Sequence, residues 1–398
     1  MNFDIHPRTI YITVVGSHSY GMARPESDVD IRGIAIPTRE YFHGYLNTFA
    51  QFEAEYPRDA DVGGETIVGR LERMVGRKIP ADEQLDSSIY GLRKFFKLAA
   101  DCNPNIIEFL YADPSCHVLT TSYSDTLVQN RHLFLSTKAK FTFSGYAHSQ
   151  LKRIRTHRKW LLDPPTHKPT REEFRLALRT VIPKDQLQAA ESLIKKKVET
   201  WILLDEDLPR DVLEAVRKET LASITEMWEA TRMTAPLDDD GEFDRDKLEH
   251  AAGRLLGFDD NFLEYLDRER RYKAAMRQYK QYEHWKATRN QARSKLEAEH
   301  GYDTKHAAHL VRLLRMAKEI LIDGKVIVKR PDADELLAIR RGAWDFDSLM
   351  EWATQADDDL TKLYEAGESP LPKKPNQGKL DNICMMLIER ALEEKVLR

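Results

Sequence analysis

The first forty residues contain two short apolar segments that are typical of β-strands. Thr9–Val15 is a run of β-branched and aromatic residues that ends at a Gly-Ser pair. The second segment lies between Ser27 and Pro37, and its first half alternates between polar and apolar positions. Side chains alternate between the faces of a strand, and proline ends one, so this pattern predicts a strand, a turn and a second strand.

Beyond this segment the hydrophobic period is mostly that of helices. Apolar residues recur at three- and four-residue spacing from Ile89 to about Asp101, which predicts an amphipathic helix. Residues 38–85 have no clean period and predict loops around one or two short elements, and Lys325–Val328 predicts a short strand. Further helices are predicted over 262–300, Lys305–Ile322, 332–366 and from Lys379 onward. The expected fold class is therefore α+β, with a small mixed sheet followed by a largely helical region.

Prolines and shifts in charge suggest four segments along the chain. Residues 1–125 contain the predicted strands, and residues 126–165 form a basic helical segment that ends at two prolines. Residues 166–260 have helical patterns interrupted by prolines and an acidic turn, and we interpret them as a helical insertion. Residues 261–398 are predicted to form a carboxy-terminal helical domain.

Composition and charge exclude some classes of protein. The 398 residues are 41% hydrophobic and 32% charged, and no apolar run approaches the ~20 residues needed to span a bilayer. The amino-terminal residues lack the basic and apolar regions of a secretory signal, and three scattered cysteines are too few for a disulfide framework. We expect a cytoplasmic protein with reduced thiols and no membrane partner; the sequence predicts no oligomeric state.

Two aspartates in the second predicted strand are candidates for a metal site. Asp28 and Asp30 are separated by one residue and therefore share a strand face, about 7 Å apart, where they repel each other unless a cation binds. Mg²⁺ prefers such oxygen ligands and completes its shell with water and phosphate. Gly16 and Ser17 end the preceding strand, where a glycine allows close approach of a phosphate and a hydroxyl can bind its oxygens. The alternative is a surface hairpin with solvated aspartates.

These residues resemble a known family. Gly-Ser followed by Asp-Val-Asp-Ile resembles the signature of the DNA polymerase beta-like nucleotidyltransferase superfamily. The longer sequence from Gly16 to Gly33 is similar to the predicted nucleotidyltransferases assigned to RNA repair pathways. The resemblance is weakest over 166–260. It is supported by later segments, namely Ile89–Leu98, Asn103–Glu108, Tyr146–Ile154, Tyr302–Leu310 and Val328–Pro331.

The resemblance implies a nucleotidyltransferase domain within residues 1–125 and a third carboxylate on a neighbouring strand. Asp86 is the best match, as general base or metal ligand, and Glu65 and Glu108 are the next candidates. The plain alternatives are a helix N-cap for Asp86 and a buried structural role for Glu108, which we favour for the latter. Arg24 is a candidate to neutralise the triphosphate, although it could equally be a solvated loop residue.

A basic tract is the candidate binding site for RNA. Residues 127–162 contain no acidic residue, and their basic residues are interspersed with aromatic ones in a protein whose net charge is −4. Such a tract is typical of polyanion binding, and the alternative is a solvated helix face over an aromatic core. The second candidate tract is Arg268–Lys280. The predicted RNA-binding residues are Lys152, Arg153, Arg155, Arg158 and Lys159.

His306 and His309 lie three apart on a predicted helix, next to Lys305. A His-x-x-His pair can bind a transition metal, but the sequence shows no third ligand, and we do not predict a zinc site. Contact with phosphate by Lys305, His306 and His309 and ordinary helix packing both remain open.

The sequence as a whole predicts a nucleotidyltransferase that moves a nucleoside monophosphate from a nucleoside triphosphate to a hydroxyl and releases pyrophosphate. Two Mg²⁺ ions, with Mn²⁺ as a substitute, are expected at Asp28, Asp30 and Asp86. The expected acceptor is an RNA 3′ end, with tRNA among the candidates. One alternative is nucleotidylation of a protein or small molecule, and another is a non-catalytic RNA-binding protein.

Overall fold

A five-stranded mixed sheet forms the centre of the amino-terminal region. The computed structural model describes residues 3–201, 245–289, 291–394 and 397. The strands are β1 (Thr9–Val14), β2 (Asp30–Ala35), β3 (Gln51–Phe52), β4 (Asp86–Gly91) and β5 (His117–Leu119). Neighbouring strands follow the order β3-β4-β2-β1-β5, with β2 antiparallel to β1 and parallel to β4, and with β3 and β5 antiparallel at the two edges. The predicted strand, turn and strand are confirmed as β1 and β2, and so is the α+β fold class.

The sequence analysis was wrong about the residues that form β4. It predicted that a helix begins at Ile89, whereas the chain is extended from Asp86 to Gly91 and the helix begins at Leu92. Buried and more accessible positions alternate along β4, which is the period of a strand. Ile89 fits both patterns because it is buried in either case, and the parallel pairing with β2 decides in favour of the strand.

Helices cover both faces of the sheet. The α-helices before residue 164 are α1 (Glu40–His43), α2 (Ile67–Val75), α3 (Leu92–Ala100), α4 (Pro104–Leu110), α5 (Ser122–Gln129) and α6 (Ala139–Leu162). On one face, buried residues of α3 and α4 join side chains from α6 and from the carboxy-terminal helices in one large core. On the other face, Val29 and Ile31 of the second strand segment pack against Ile67 and Leu71 of α2. Short 3-10 helices lie at His6–Arg8, Pro114–Cys116 and Arg131–Phe134.

The chain divides into two compact units. The first contains residues 1–163 and 290–398, and the second contains residues 164–289. The second unit comprises a 3-10 helix at Glu172–Phe174 and the helices α7 (Lys184–Trp201), α8 (Arg245–Leu255) and α9 (Asp260–Thr288), and part of the predicted insertion lies outside the described residues. The carboxy-terminal helices of the first unit are α10 (Gln291–His300), α11 (Thr304–Asp323), α12 (Ala333–Arg340), α13 (Phe346–Ala366) and α14 (Gln377–Glu393).

Two further predictions of secondary structure are corrected. Lys325–Val328 forms no strand; Gly324 ends α11 in a left-handed conformation and the chain then runs irregularly to α12. The helix predicted over 262–300 is two helices, α9 and α10. Among the described residues, no helix has the length and apolar character needed to cross a membrane.

The second unit has its own apolar core. Leu187 and Ile194 of α7 pack with Leu248 of α8 and Leu263 of α9. Next to this core, Arg171 pairs with Glu269, whose side chain is almost fully buried. Several cations of α9 stabilise the second unit through ion pairs within it. These are Arg268, Arg270, Arg271 and Lys273.

A buried charged cluster joins the turn after β1 to α4 and α11. The Arg312 side chain is 2% exposed, and its Nη1 lies 2.5 Å from Glu108 Oε1. The Tyr20 hydroxyl donates to Glu108 Oε2 at 2.5 Å, and the Arg312 guanidinium lies 3.9 Å from the centre of the Tyr20 ring. Burial alone would lower the pKa of Arg312, but the Glu108 carboxylate outweighs it and the pKa is raised. Glu108 therefore has the structural role that the sequence analysis favoured.

We expect Arg312→Met to lower the free energy of unfolding by about 3–5 kcal/mol, because it leaves the Glu108 carboxylate buried without its cation. Arg315→Met on the same helix is the matched control. Arg315 pairs with Asp332 and Glu335 near the surface, and its loss should cost about 1 kcal/mol or less. Urea denaturation of the three proteins measures both values, and equal losses in the two variants would contradict the assigned role of Arg312.

Candidate active site

The turn after β1 brings the main chain against an aspartate of β2. Gly16 has a positive φ of 69°, and a Cβ atom built on it would lie 3.2 Å from Asp30 Oδ2. The turn is held by hydrogen bonds from the Ser19 hydroxyl and the Tyr20 amide to the Gly16 carbonyl. Glycine is therefore required at Gly16 for two reasons, its left-handed backbone and the space that the Asp30 carboxylate occupies.

The structure places the three predicted carboxylates at one end of the β2–β4 pair, although their oxygens do not all lie within 4.8 Å of one another. Asp30 and Asp86 are register partners in the parallel ladder, which sets their Cα atoms about 4.8 Å apart. Asp28 lies two residues before Asp30, and the intervening Val29 and the following Ile31 are 0% and 1% exposed. Alternation along the strand therefore directs the aspartates away from the core that contains Val29 and Ile31.

The electrostatic state of Asp30 reflects this crowding. Its pKa is raised, first by burial and then by the negative charges of Asp86 and Asp28. The nearest compensating charges are those of Arg32 and Lys305, which act in the opposite direction but do not cancel the effect. A divalent cation would relieve this repulsion, so the electrostatics of the cluster favour cation binding.

The donor set fits Mg²⁺. All three candidate ligands offer carboxylate oxygens, and Mg²⁺ is usually bound by one or two carboxylates while water and phosphate oxygens complete its shell. The absence of a Cβ at Gly16 lets the main chain of the turn lie close to the Asp30 carboxylate. Asp28, Asp30 and Asp86 are thus suitable ligands for the expected ions, and their assignment stays a prediction.

Two arginines, Arg24 and Arg32, lie close to the aspartates in sequence. Arg24 lies in the loop between the turn and Asp28, and its Nε is 3.1 Å from the exposed Glu26 carboxylate. Arg32 follows Asp30 on the same strand face, and its Nη1 donates to the carbonyl of Asn105 in α4 at 3.0 Å. Arg32 is therefore fixed by the helical layer, whereas the Arg24 side chain pairs with a surface carboxylate. Ser17 is half-buried in the turn.

A support for the aspartate segment was missed by the sequence analysis. Arg77, just after α2, donates to the Ser27 carbonyl at 2.8 Å and forms a bidentate pair with Glu83 at 2.6 and 2.7 Å. The Glu83 carboxylate, and more weakly Asp28, raise the pKa of Arg77. Arg77 therefore fixes the residue before Asp28 and adds a positive charge near it. Residues 38–85 lack a hydrophobic period, and no local signal in the sequence points to this contact.

The alternative candidates for the third carboxylate lie in other environments. Glu65 forms ion pairs with Arg70 and Arg73 at the start of α2. Glu108 is fully committed to Tyr20 and Arg312. Asp86 begins β4 rather than capping a helix, so the N-cap alternative for it is excluded.

The basic tract lies mainly on α6, and its members differ in their contacts. Arg158 is half-buried, donates to the Gly301 carbonyl at 2.9 Å and lies 4.2 Å from the centre of the Phe346 ring. It therefore contributes to the packing of the first unit. Within the part of the chain that the structure describes, four of the predicted RNA-binding residues are exposed and have no ion-pair partner: Lys152, Arg153, Arg155 and Lys159.

The three residues predicted to contact phosphate lie in the first turns of α11 and differ from one another. Lys305 is exposed, and its charge lowers the pKa of Asp30 against the dominant effects. His309 is largely buried, and burial followed by the charge of Arg312 lowers its pKa well below the usual value. His306 turns instead toward Asp303 and His157. The structure therefore separates the two histidines and brings Lys305 near the carboxylates.

Residues 3–168 match the family model described as RlaP, the RNA repair pathway DNA polymerase beta family. This is the family that the motifs at Gly16 and Asp28 resemble, so the predicted resemblance is confirmed. The family is part of the DNA polymerase beta-like nucleotidyltransferase superfamily, and the match therefore supports nucleotidyltransferase activity.

A curated relative is a protein of Enterobacteria phage T4 described as an uncharacterized 38.9 kDa protein in the nrdC-mobD intergenic region. It is 29% identical over 147 residues, which are 36% of this chain and 38% of the phage protein. The match thus spans well under half of either protein. No solved structure shows a significant match to this chain.

We expect Gly16→Ala to reduce nucleotidyl transfer about tenfold or more, because its Cβ displaces the Asp30 carboxylate. Gly76→Ala is the matched control, since Gly76 has a φ of 71° but no atom within 4 Å of an added Cβ. Both variants should lose about 1 kcal/mol of stability from left-handed strain. Urea denaturation and turnover measurements test this, and equal activity in the two variants would show that the approach to Asp30 is unimportant.

Proposed function

We propose that this protein transfers a nucleoside monophosphate from a nucleoside triphosphate to the 3′-hydroxyl of an RNA, with release of pyrophosphate. The observation that carries the proposal is the parallel register of Asp30 with Asp86, with Asp28 on the same side of the strand. Three carboxylates beside a Gly-Ser turn form a suitable site for a metal-bound triphosphate. The family match supports the reaction class, and its description associates the family with RNA repair.

The turn and the carboxylates have separate roles in this proposal. Gly16 and Ser17 bind and orient the triphosphate through main-chain amides and a hydroxyl. Asp28 and Asp30 would hold two Mg²⁺ ions, and Asp86 would either complete that set or accept the proton of the attacking hydroxyl. The ions, when bound, would supply a lowered pKa of the attacking hydroxyl and charge neutralisation for the leaving pyrophosphate.

Cations around the carboxylates extend the triphosphate site. Lys305, at the amino-terminal end of α11, is exposed and acts electrostatically on Asp30. The helix dipole adds positive potential at the same end. Lys305 is therefore our first candidate for a protein contact to the triphosphate, and Arg24 is the second. His309, with its lowered pKa, is neutral near neutral pH and adds no charge to this contact.

The choice of RNA as acceptor depends on α6. Lys152, Arg153, Arg155 and Lys159 are exposed on one helix of the unit that contains the carboxylates. Cationic side chains that form no ion pair among the described residues are available to bind RNA phosphates. A protein with a net charge of −4 has little general affinity for RNA, so a local cationic surface is needed. A small cationic acceptor would instead require an acidic pocket. The tract is therefore our candidate for binding the RNA backbone.

Replacing either Asp28 or Asp30 by alanine should abolish transfer and leave the fold intact, because each removes a ligand without opening the core. Asp86→Asn should reduce the rate of transfer much more than the affinity for nucleotide. Asp82→Asn, an exposed aspartate four residues earlier, is the control and should behave as wild type. Turnover with each labelled nucleoside triphosphate and an RNA with a free 3′-hydroxyl measures these effects.

The reaction class would be wrong if Asp28→Ala or Asp30→Ala kept more than about a tenth of wild-type activity, which corresponds to less than ~1.4 kcal/mol of transition-state stabilisation. Label transferred to a protein or to a small molecule, and not to RNA, would instead overturn only the choice of acceptor.

Affinity for RNA should fall steeply with salt, since each phosphate contact on a single strand contributes roughly 0.7 to the log–log slope. Replacing Lys152, Arg153 and Arg155 together by glutamine should flatten the slope by about two units, with little change in nucleotide affinity. The control replaces Lys373, Lys374 and Lys379, which are exposed in the same unit and change the net charge equally. If both triple variants gave the same slope, the cations of α6 would be ordinary surface charges.

A further inference from the structure

A buried carboxylate lies between two imidazoles at the start of α11. Asp303 is 0% exposed, and its Oδ2 lies 3.0 Å from His157 Nδ1 and 3.6 Å from His306 Nε2. The side chains of His157 and His306 are 15% and 16% exposed. One candidate ligand atom from each of the three residues lies within 4.8 Å of the others, and no other group of three among the described residues does so.

The contacts around Asp303 fix the direction of its second oxygen. Oδ1 accepts a hydrogen bond from the His306 amide at 3.1 Å, so Asp303 is the N-cap of α11. Oδ2 is thereby directed at the two imidazoles. On α6, Trp160 stacks against the His157 ring at 5.6 Å, and Arg158 holds the preceding loop through the Gly301 carbonyl. The three side chains are therefore held on two packed helices, as metal ligands are in rigid sites.

The spacing of the three ligand atoms suits a four-coordinate transition metal. Bonds of about 2.0–2.1 Å from a metal to nitrogen and oxygen place tetrahedral ligands about 3.3 Å apart. The observed separations of 3.0 and 3.6 Å from Asp303 Oδ2 lie on either side of that value. The ligand atoms of the remaining pair, His157 and His306, lie within 4.8 Å of each other.

The charge and chemistry of the surroundings select the class of ion. Lys159, Lys305 and Arg158 lie next to the ligands in sequence and are all cationic, which disfavours an ion held by electrostatic attraction alone. Imidazole nitrogens are good ligands for Zn²⁺, Ni²⁺, Cu²⁺ and Fe²⁺ and poor ones for Mg²⁺. We propose that His157, Asp303 and His306 bind one divalent transition-metal ion, with Zn²⁺ as the first candidate.

This site is distinct from the carboxylate cluster and does not depend on the proposed function. Its ligands are two nitrogens and one oxygen, whereas Asp28, Asp30 and Asp86 offer only oxygen. Three protein ligands leave a position for water or for a phosphate oxygen. The ion would join α6, which carries the basic tract, to the end of α11 that carries Lys305. The sequence analysis predicted no zinc site because it found no third ligand beside His306 and His309. In the structure His306 instead lies with His157 and Asp303, and these three residues supply the candidate ligands.

The test uses the full chain without a histidine tag, stripped with EDTA and dialysed. Co²⁺ serves as the spectroscopic probe, and Zn²⁺ is then added as the competitor. With excess Mg²⁺ present to fill the carboxylate cluster, we expect one equivalent of Co²⁺ with the visible absorption of a nitrogen-containing, four- or five-coordinate site, and displacement by one equivalent of Zn²⁺. His157→Gln, Asp303→Asn and His306→Gln should each weaken Co²⁺ binding at least tenfold.

Three controls keep the test independent of folding and of catalysis. Asp303→Asn keeps a side-chain oxygen for the N-cap, so its melting temperature in EDTA should match that of wild type. His148→Gln removes another α6 histidine, exposed and 3.3 Å from Asp357, and should leave binding unchanged. Asp30→Asn should also bind Co²⁺ normally.

The proposal is overturned if wild type shows no saturable binding of Co²⁺ or Zn²⁺, or if the three ligand variants bind as tightly as His148→Gln. It is also overturned if binding is lost in Asp30→Asn, because the ion would then lie at the carboxylates. Each of these three results would mean that Asp303 and its two histidines form only a hydrogen-bonded network that caps α11.

Discussion

The ion pair between Glu108 and Arg312 is the interaction on which the candidate active site most depends. Both side chains are almost fully buried, and desolvation of two charges costs several kcal/mol unless further hydrogen bonds satisfy them. Tyr20 supplies one such bond, and its ring covers the guanidinium. Since Tyr20 belongs to the turn that begins at Gly16, the pair fixes the turn to α4 and α11. A second contact, from the Arg330 amide to the Tyr20 carbonyl, holds the same residue from the segment after α11.

The same arrangement connects the carboxy-terminal helices to the amino-terminal strands. Arg330 is 5% exposed and pairs with Glu319 and Asp332, so its role is to stabilise the segment that binds Tyr20. Arg312 lies two turns after Lys305 on α11. The turn, α4 and α11 are therefore positioned by one set of contacts, in which the longest, from Arg330 to Tyr20, joins residues more than three hundred positions apart in sequence.

The parts of the site that could be predicted from the sequence are those encoded locally. Asp28 and Asp30 on one strand face follow from the alternation with Val29 and Ile31, and the turn at Gly16 follows from its composition. Asp86 required the resemblance, because its position depends on strand pairing with Asp30, and periodicity alone placed a helix over Ile89. The contact from Arg77 to Ser27 spans 50 residues, and that from His157 to Asp303 spans 146. Neither leaves a pattern within a short window, so sequence reasoning could not find them.

The crowding of carboxylates at Asp30 and the burial of charge at Arg312 are two solutions to the same electrostatic problem. At Arg312 the fold supplies an opposite charge from Glu108, which pairs with Nη1, while Nη2 is buried without a hydrogen bond among the described residues. At Asp30 the nearest cations, Arg32 and Lys305, do not offset burial and the neighbouring acids, and the pKa stays raised. One of these two cations, Arg32, donates a hydrogen bond to the Asn105 carbonyl. Uncompensated negative charge destabilises the folded protein, and such a cluster is tolerated where a bound cation neutralises it. The difference between these two clusters is the physical reason to look for metal-dependent chemistry at Asp30 and for structural stability at Arg312.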